Sequence, residues 1–408
     1  MKKDLDQLMK KMGIDAIHAE GHANRDADLY YLLNGVNIYA HYIKKRGKPA
    51  CVVHSPIERE EAQKTGHQLI NMNNYDLRRI AEKYQDQRKA GAHFLRLLFD
   101  ELKVKGNVVF YGSYPVGEGY AYLRQVARLN RHIKIYEGKG RGTGLLTTAR
   151  RTKDQGEIAR IKKVRNSVVR AFNVMLKEVH QCKVKDGFIM RGRNARLSIG
   201  DLRNIIRREL FACKTIDSAG MIVAQGRDAG VPHNSGRDRQ PVRLGQPVVF
   251  DIFPQELDGG YFFDFTRTVC FGYAPRPLKM LYDTVSCAHD YACSLLKVGR
   301  KTRDVEQSIC EYFESKGHRT FLHTPRTQVG YCHSLGHGIG LNIHENPFFN
   351  LLKTNKDRIE PNMVFTIEPG LYYPDQGQGV RIEDVIHVDE RGRIVNLTNY
   401  PRRLVIPL

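Results

Sequence analysis

The sequence is short of paired cysteines, long apolar runs and acidic residues, and each shortage excludes something. None of the eight cysteines forms a CxxC pair, so neither a zinc ribbon nor a disulfide framework is indicated. Cys287 and Cys293, the closest pair, read instead as buried thiols in a helix. No uninterrupted apolar run approaches the ~18 residues of a spanning helix. At the N-terminus, MKKDLDQLMKKMG carries Asp4 and Asp6 where a secretory signal needs an apolar h-region. A cytoplasmic protein without a membrane partner is the expectation. Acidic residues number 44 against 65 Lys+Arg, giving a net charge of +21. Such a field attracts polyanions. The densest basic clusters, Lys44-Lys45-Arg46-Gly47-Lys48 and Arg191-Gly192-Arg193, are short, with no zinc-finger spacing or aromatic RNA-binding motif beside them. Nucleic acid is therefore not the favoured partner, and a basic solvated surface is.

With 408 residues, 41% hydrophobic and 27% charged, the chain can bury a substantial core in two or three domains. Residues up to about 135 read as mixed α/β. Leu5, Leu8 and Met9 recur at helical spacing, and Ala50–Val53 and Asn107–Phe110 are short apolar strands. The run EGKGRGTG, ending at Gly144, reads as a linker; it lacks the GK[ST] that a phosphate-cradling loop requires. Asp154 and Glu157 form a capping box opening a helix whose apolar face carries Ile158, Ile161, Val164 and Val168. Further helices are expected over 199–211 and 277–297, within a strand-rich C-terminal half.

Chemistry concentrates in four stretches. In residues 247–272, two β-rich runs (Val248–Phe253 and Tyr261–Phe271) flank Asp258-Gly259-Gly260, as in a hairpin. Each run contains one aspartate, Asp251 and Asp264, which is costly in an apolar setting unless a cation meets it. In residues 333–347, His333, His337 and His344 fall within twelve residues, the middle one surrounded by Gly336, Gly338 and Gly340. An HExxH zincin is excluded, because Phe348 stands where the second histidine should be. In residues 362–374 and 379–388, period two puts Val364, Thr366 and Glu368 on one face, and Arg381 with Glu383 on another. Asp251, Asp264, His337, Glu368 and Glu383 thus offer four carboxylates and one imidazole. Four negative charges neutralise two divalent cations, and an oxygen-rich set favours Mn²⁺, with Co²⁺, Fe²⁺ and Zn²⁺ compatible.

At these residues the sequence resembles the pita-bread metallopeptidases: methionine aminopeptidases, aminopeptidase P, prolidases and creatinase. The order Asp, Asp, His, Glu, Glu, the GHG turn, the second histidine seven residues on, the EPG and the terminal R-x-E are all present. The resemblance implies a small creatinase-like α/β domain (1–148) followed by a pita-bread α+β catalytic domain (149–408), assembled as a homodimer. It implies two divalent ions bound by Asp251, Asp264, His337, Glu368 and Glu383, with Asp264 and Glu383 bridging. Glu368 would also act as general base, His344 would contact the substrate carbonyl, and His233 in AGVPHNSG would be a substrate-site histidine. Arg381 would orient the carboxylates. His333 is similar to the histidine of the proline-directed branch, as is the RTKDQGEIARIKKV junction. The implied reaction is hydrolysis of the N-terminal Xaa-Pro bond of peptides. The alternatives are a non-peptide hydrolase or lyase on this fold, or a silent member binding peptide or nucleic acid. Two departures, the 13-residue interval from Asp251 to Asp264 and an insertion-like 183–200, bear on the substrate pocket.

Overall fold

The computed structural model describes residues 4–138 and 144–408. Most of the glycine-rich run expected to be a linker lies outside the described residues, as do Met1–Lys3. The chain divides into two units, Met1–Arg150 with Asp258–Gly260, and Arg151–Leu257 with Tyr261–Leu408.

The first unit is built on a six-stranded sheet in the order Gln68–Asn71, Ala50–His54, Tyr39–Lys45, Ala16–His22, Gly106–Tyr111, Ile133–Ile135. The central strand Ala16–His22 pairs antiparallel with Tyr39–Lys45 and parallel with Gly106–Tyr111. The N-terminal helix Leu5–Met12 stops at Gly13, whose φ of 71° is a left-handed cap that glycine adopts without strain. Helix Gln87–Glu101 is capped by the Asp86 carboxylate, which accepts from the backbone of Arg88 and Lys89. It lays Phe94, Leu95, Leu98 and Phe99 against Ala16, Ile43, Val53 and Val108 of the sheet. Each such side chain contributes about 1.5–3 kcal/mol on full burial.

The second unit opens with helix Gln155–His180, and the expected capping box is formed by Asp154 and Glu157. Ile158, Ile161, Val164 and Val168 are all buried along its inner face. Residues 183–196 form a three-stranded meander (Lys183–Lys185, Phe188–Arg191, Ala195–Arg196) leading into helix Ile199–Ala212. Two sheets follow. One has the order Ile222–Gln225, Pro247–Asp251, Thr266–Phe271, Val405–Ile406. The other has the order Glu345–Phe349, Gly336–Gly338, Val364–Ile367, Asp384–Val388, Ile394–Asn396. Helices Arg276–Leu295 and Thr302–Ser315 share a core with the second sheet, through Val285, Ile309, Phe313, Phe365, Ile367 and Ile386.

Three local expectations are corrected. The second hairpin strand begins at Thr266, not Tyr261. Pro254, which has no N–H to give the ladder, interrupts the pairing so that Asp264 lies in the irregular stretch before that strand. Arg381 and Glu383 do not share one strand. Gln378–Arg381 pairs with Gly370–Tyr373, while Asp384–Val388 pairs with Val364–Ile367, and the chain changes sheet between them. Cys287 lies in a helix as expected but on its exposed side, while Cys293 is half-buried.

Candidate metal centre

The acidic members of the candidate set sit at strand ends or in the irregular stretches beside them. Asp251 is the last residue of Pro247–Asp251, opposite Thr266. Glu368 follows Val364–Ile367, with Pro369 ending that strand. Glu383 occupies the change of sheet, its N–H donating to the Thr266 carbonyl at 3.1 Å. His337 is the middle residue of Gly336–Gly338. Close approach dictates the flanking glycines. A Cβ at Gly336 would collide with the Thr366 carbonyl oxygen, and one at Gly338 with that of Asn346.

Ligand-type atoms of Asp264, His337 and Glu383 all lie within 4.8 Å of one another. His337 Nε2 is 3.4 Å from Glu368 Oε1 and 3.8 Å from Asp264 Oδ2. His337 Nδ1 is 3.1 Å from the Gly338 carbonyl. A carbonyl only accepts, so the proton is on Nδ1 and the Nε2 lone pair faces the carboxylates, the tautomer a metal ligand needs. Burial holds the His337 imidazole down to about 3, so it is neutral.

The carboxylates repel one another. Burial first, then the charges of Glu383, Asp251 and Glu368, push Asp264 well above the carboxylate range. Glu368 is pushed up by burial and by Glu383. Glu383 rises to about 8, from burial and then Asp251. Its Oε2 accepts from the Thr266 hydroxyl at 2.8 Å. Its Oε1 is buried, and among the described residues no amide, hydroxyl or basic group donates to it. Among the described residues, the cation paired with these groups is Arg381, whose Nη2 meets Asp251 Oδ2 at 2.5 Å. One guanidinium does not balance four carboxylates, so the donor set fits divalent cations.

The remaining histidines sit around this cluster. The His344 ring is 4.2 Å from that of His337 and perpendicular to it. Burial and the proximity of His233 hold His344 below the ordinary imidazole range. His333 is joined not to a carboxylate but to Tyr372. Its Nδ1–H donates to the Ser334 carbonyl (2.9 Å), and its Nε2 accepts from the Tyr372 hydroxyl (2.8 Å). Arg381 Nη1 in turn donates to that hydroxyl at 2.8 Å. A chain of contacts thus links His333 to Asp251 through Tyr372 and Arg381.

Several participants escaped the sequence reading. Glu306, fully buried on helix Thr302–Ser315, accepts from the Leu335 N–H (2.7 Å) and the Tyr331 hydroxyl (2.8 Å). The Leu335 carbonyl receives the Glu368 N–H at 2.8 Å, so Glu306 anchors the segment that leads into His337 and holds the Glu368 backbone. Thr266 ties Glu383 to Arg381 Nε at 3.3 Å. Thr366 Oγ1 accepts from the His337 N–H at 3.2 Å. Only Thr366 left a signal, through its period-two relation to Glu368.

Residues 159–390, more than half of the chain, match the description Metallopeptidase family M24. The chain belongs to metallopeptidase family M24. It is 33% identical over 189 residues to the uncharacterized peptidase YqhT of Bacillus subtilis, covering 46% of this chain and 49% of that one. It is 32% identical over 184 residues to the Xaa-Pro dipeptidase of Pyrococcus furiosus, covering 45% and 48%. The M24 chain therefore spans about half the length of the curated relatives it matches. The crystal structure of X-Pro aminopeptidase from Thermotoga maritima superposes with a TM-score of 0.75 at 21% identity, covering 98% of this chain and all of that one. That likeness speaks for the fold, and the expected α/β class with a pita-bread unit is borne out.

Proposed function

We propose that this M24 chain is a metal-dependent exopeptidase that hydrolyses the N-terminal Xaa-Pro bond of peptides using two divalent ions. The observation that carries the reading is the buried, mutually repelling carboxylate group around His337, with no amide, hydroxyl or basic donor to Glu383 Oε1 among the described residues. The Xaa-Pro assignment rests on the His333 context and on the names of the relatives. Asp251, Asp264, His337, Glu368 and Glu383 would hold the ions, manganese being the first choice for so oxygen-rich a set. When bound, such ions supply Lewis acidity and a water that is nucleophilic at neutral pH.

This chain's own residues do the rest. Glu368, raised by burial and by Glu383, accepts the proton from the attacking water and returns it to the leaving amine. His344 lies beside His337 and is available to donate to the developing oxyanion at the scissile carbonyl. Arg381 fixes the Asp251 carboxylate through Nη2, and Tyr372 couples that guanidinium to His333. His233 would contact the substrate, its influence reaching both His333 and His344.

The test is amino-acid release from Xaa-Pro dipeptides and tripeptides, with Xaa-Ala controls, by protein stripped with chelator and reloaded with Mn²⁺ or Co²⁺. Activity should vanish on stripping, return on reloading and be confined to proline substrates. Glu368→Gln should lower kcat by about 10²–10⁴. Turnover that survives exhaustive chelation, or an unimpaired Glu368→Gln variant, would overturn the mechanism. Equal cleavage of Xaa-Ala would overturn the specificity.

A further inference from the structure

The first unit carries a second cluster of metal-type donors that the proposed peptidase reaction does not use. His18 and Glu20 are two residues apart on the central strand Ala16–His22, so both project from the same face. His41 stands directly opposite Glu20 on the neighbouring strand Tyr39–Lys45. Ligand-type atoms of the three lie within 4.8 Å of one another. His18 Nε2 is 3.2 Å from His41 Nδ1, and His41 Nδ1 is 3.6 Å from Glu20 Oε2. Both histidines are buried, walled by the edges of Phe94, Phe99 and Phe110.

We propose that His18, His41 and Glu20 form a binding site for a zinc-type divalent cation. Two imidazoles and one carboxylate are a common three-ligand zinc set. Tetrahedral ligands about 2.0–2.1 Å from an ion are separated by about 3.4 Å, and the two measured separations bracket that value. Protons alone satisfy the trio less well. One hydrogen on His41 Nδ1 serves His18 but leaves Glu20 at 3.6 Å, beyond hydrogen-bond reach. Burial also holds the His18 imidazole down to about 3, so the ring is neutral, and a cation would replace the hydrogen shared between His18 Nε2 and His41 Nδ1. Glu20 has no lysine or arginine ion-pair partner among the described residues. It is oriented by the hydroxyls of Tyr39 at 2.8 Å and Tyr122 at 3.4 Å, the supporting contacts expected around a ligating carboxylate. A cavity of about 240 Å³ lined by His18, Glu20, Tyr114 and Tyr122 adjoins two of the three ligands and would supply the fourth position. Water or a small anion fits there. The ion would pin two adjacent strands of this sheet to each other.

Because the catalytic cluster also binds metal, the stoichiometry is measured in a full-length Asp264→Asn/His337→Ala background, with zinc as the probe. Dialysis followed by elemental analysis should find one zinc per chain. Adding Glu20→Gln should weaken the remaining site by at least tenfold. An anomalous difference map at the zinc edge, from crystals of unmutated protein grown with zinc, should show a peak between His18 Nε2, His41 Nδ1 and the Glu20 carboxylate. Absence of that peak, or a retained equivalent that Glu20→Gln leaves unchanged, would overturn the site. Both readouts are independent of peptidase activity, so they stand whether or not the proposed reaction does.

Discussion

Replacing Glu306 with glutamine tests how this fold tolerates a buried acid beside its candidate metal centre. Glu306 is fully buried, and burial raises its carboxyl from 4.5 to about 8 against the opposing pull of its hydrogen bonds to Leu335, Tyr331 and Cys310. Between those values the folded chain holds a proton that the unfolded chain has released. Stability therefore falls as pH rises from 4.5 to about 8, and the full contribution is present only below 4.5. At about 1.4 kcal/mol per pH unit, the difference of 3.5 pH units amounts to an upper bound of ~5 kcal/mol. Half of that corresponds to roughly 5–10 °C in Tm for a unit of this size. Glutamine keeps the acceptor for the Leu335 N–H and does not titrate. In chelator, the melting temperature of Glu306→Gln minus that of the unmutated protein should widen by roughly 5–10 °C between pH 5 and pH 8. The other carboxylates are common to both chains and largely cancel in this difference, Glu368 being the one that the Glu306 charge also raises. A gap that stays constant with pH would refute the reasoning.

Tyr372→Phe removes the hydroxyl between His333 and Arg381; losing that buried link should cost about 1–3 kcal/mol, read as a roughly 5- to 150-fold loss of kcat/KM on Xaa-Pro substrates with circular dichroism unchanged. Gly336→Ala places a methyl against the Thr366 carbonyl; His337 should shift, and manganese affinity measured by calorimetry should fall by at least tenfold. Arg267 is buried and donates to Asp384 Oδ1 at 2.7 Å and the Glu383 carbonyl at 2.7 Å. Arg267→Met strips Asp384 of that guanidinium and should destabilise the protein by about 3–5 kcal/mol in urea titration.

How much the sequence disclosed depended on whether a residue contradicted its own neighbourhood. Asp251, Glu368 and Glu383 adjoin valine, isoleucine and phenylalanine, so each announced a charge needing a partner. The capping box at Asp154 and Glu157 was equally legible, because it is a local pattern with a local cause. Glu306 sits in DVEQS, a stretch indistinguishable from a solvated helix face, and only the packing of Thr302–Ser315 turns it inward. Tyr372 looked like one aromatic among several. Its role exists only because Gly370–Tyr373 pairs with Gln378–Arg381 and brings its hydroxyl to the guanidinium. Asp264 reads as mid-strand because Phe263 and Phe265 beside it continue an apolar run, and such a run hides where the strand begins.

The strand ends explain why the acidic cluster can exist inside a β-rich core. Within a ladder, alternation sends each side chain toward a packed face, where a carboxylate would displace an aliphatic neighbour and lose its water. Asp251, Glu368 and Glu383 instead occupy positions where pairing stops or changes sheet, and Asp264 lies two residues before pairing resumes. There the backbone is free to turn several oxygens toward one point. The hydroxyl of Thr266 and the Arg381 guanidinium then occupy the sides of the group that face protein. Among the described residues no amide, hydroxyl or basic group donates to Glu383 Oε1. A fold that merely tolerated these acids would pair each one with a lysine or arginine, as it pairs Asp384 with Arg267 one residue away. The contrast between Glu383 and Asp384, adjacent in sequence and opposite in treatment, is the strongest argument that the cluster is arranged to receive cations.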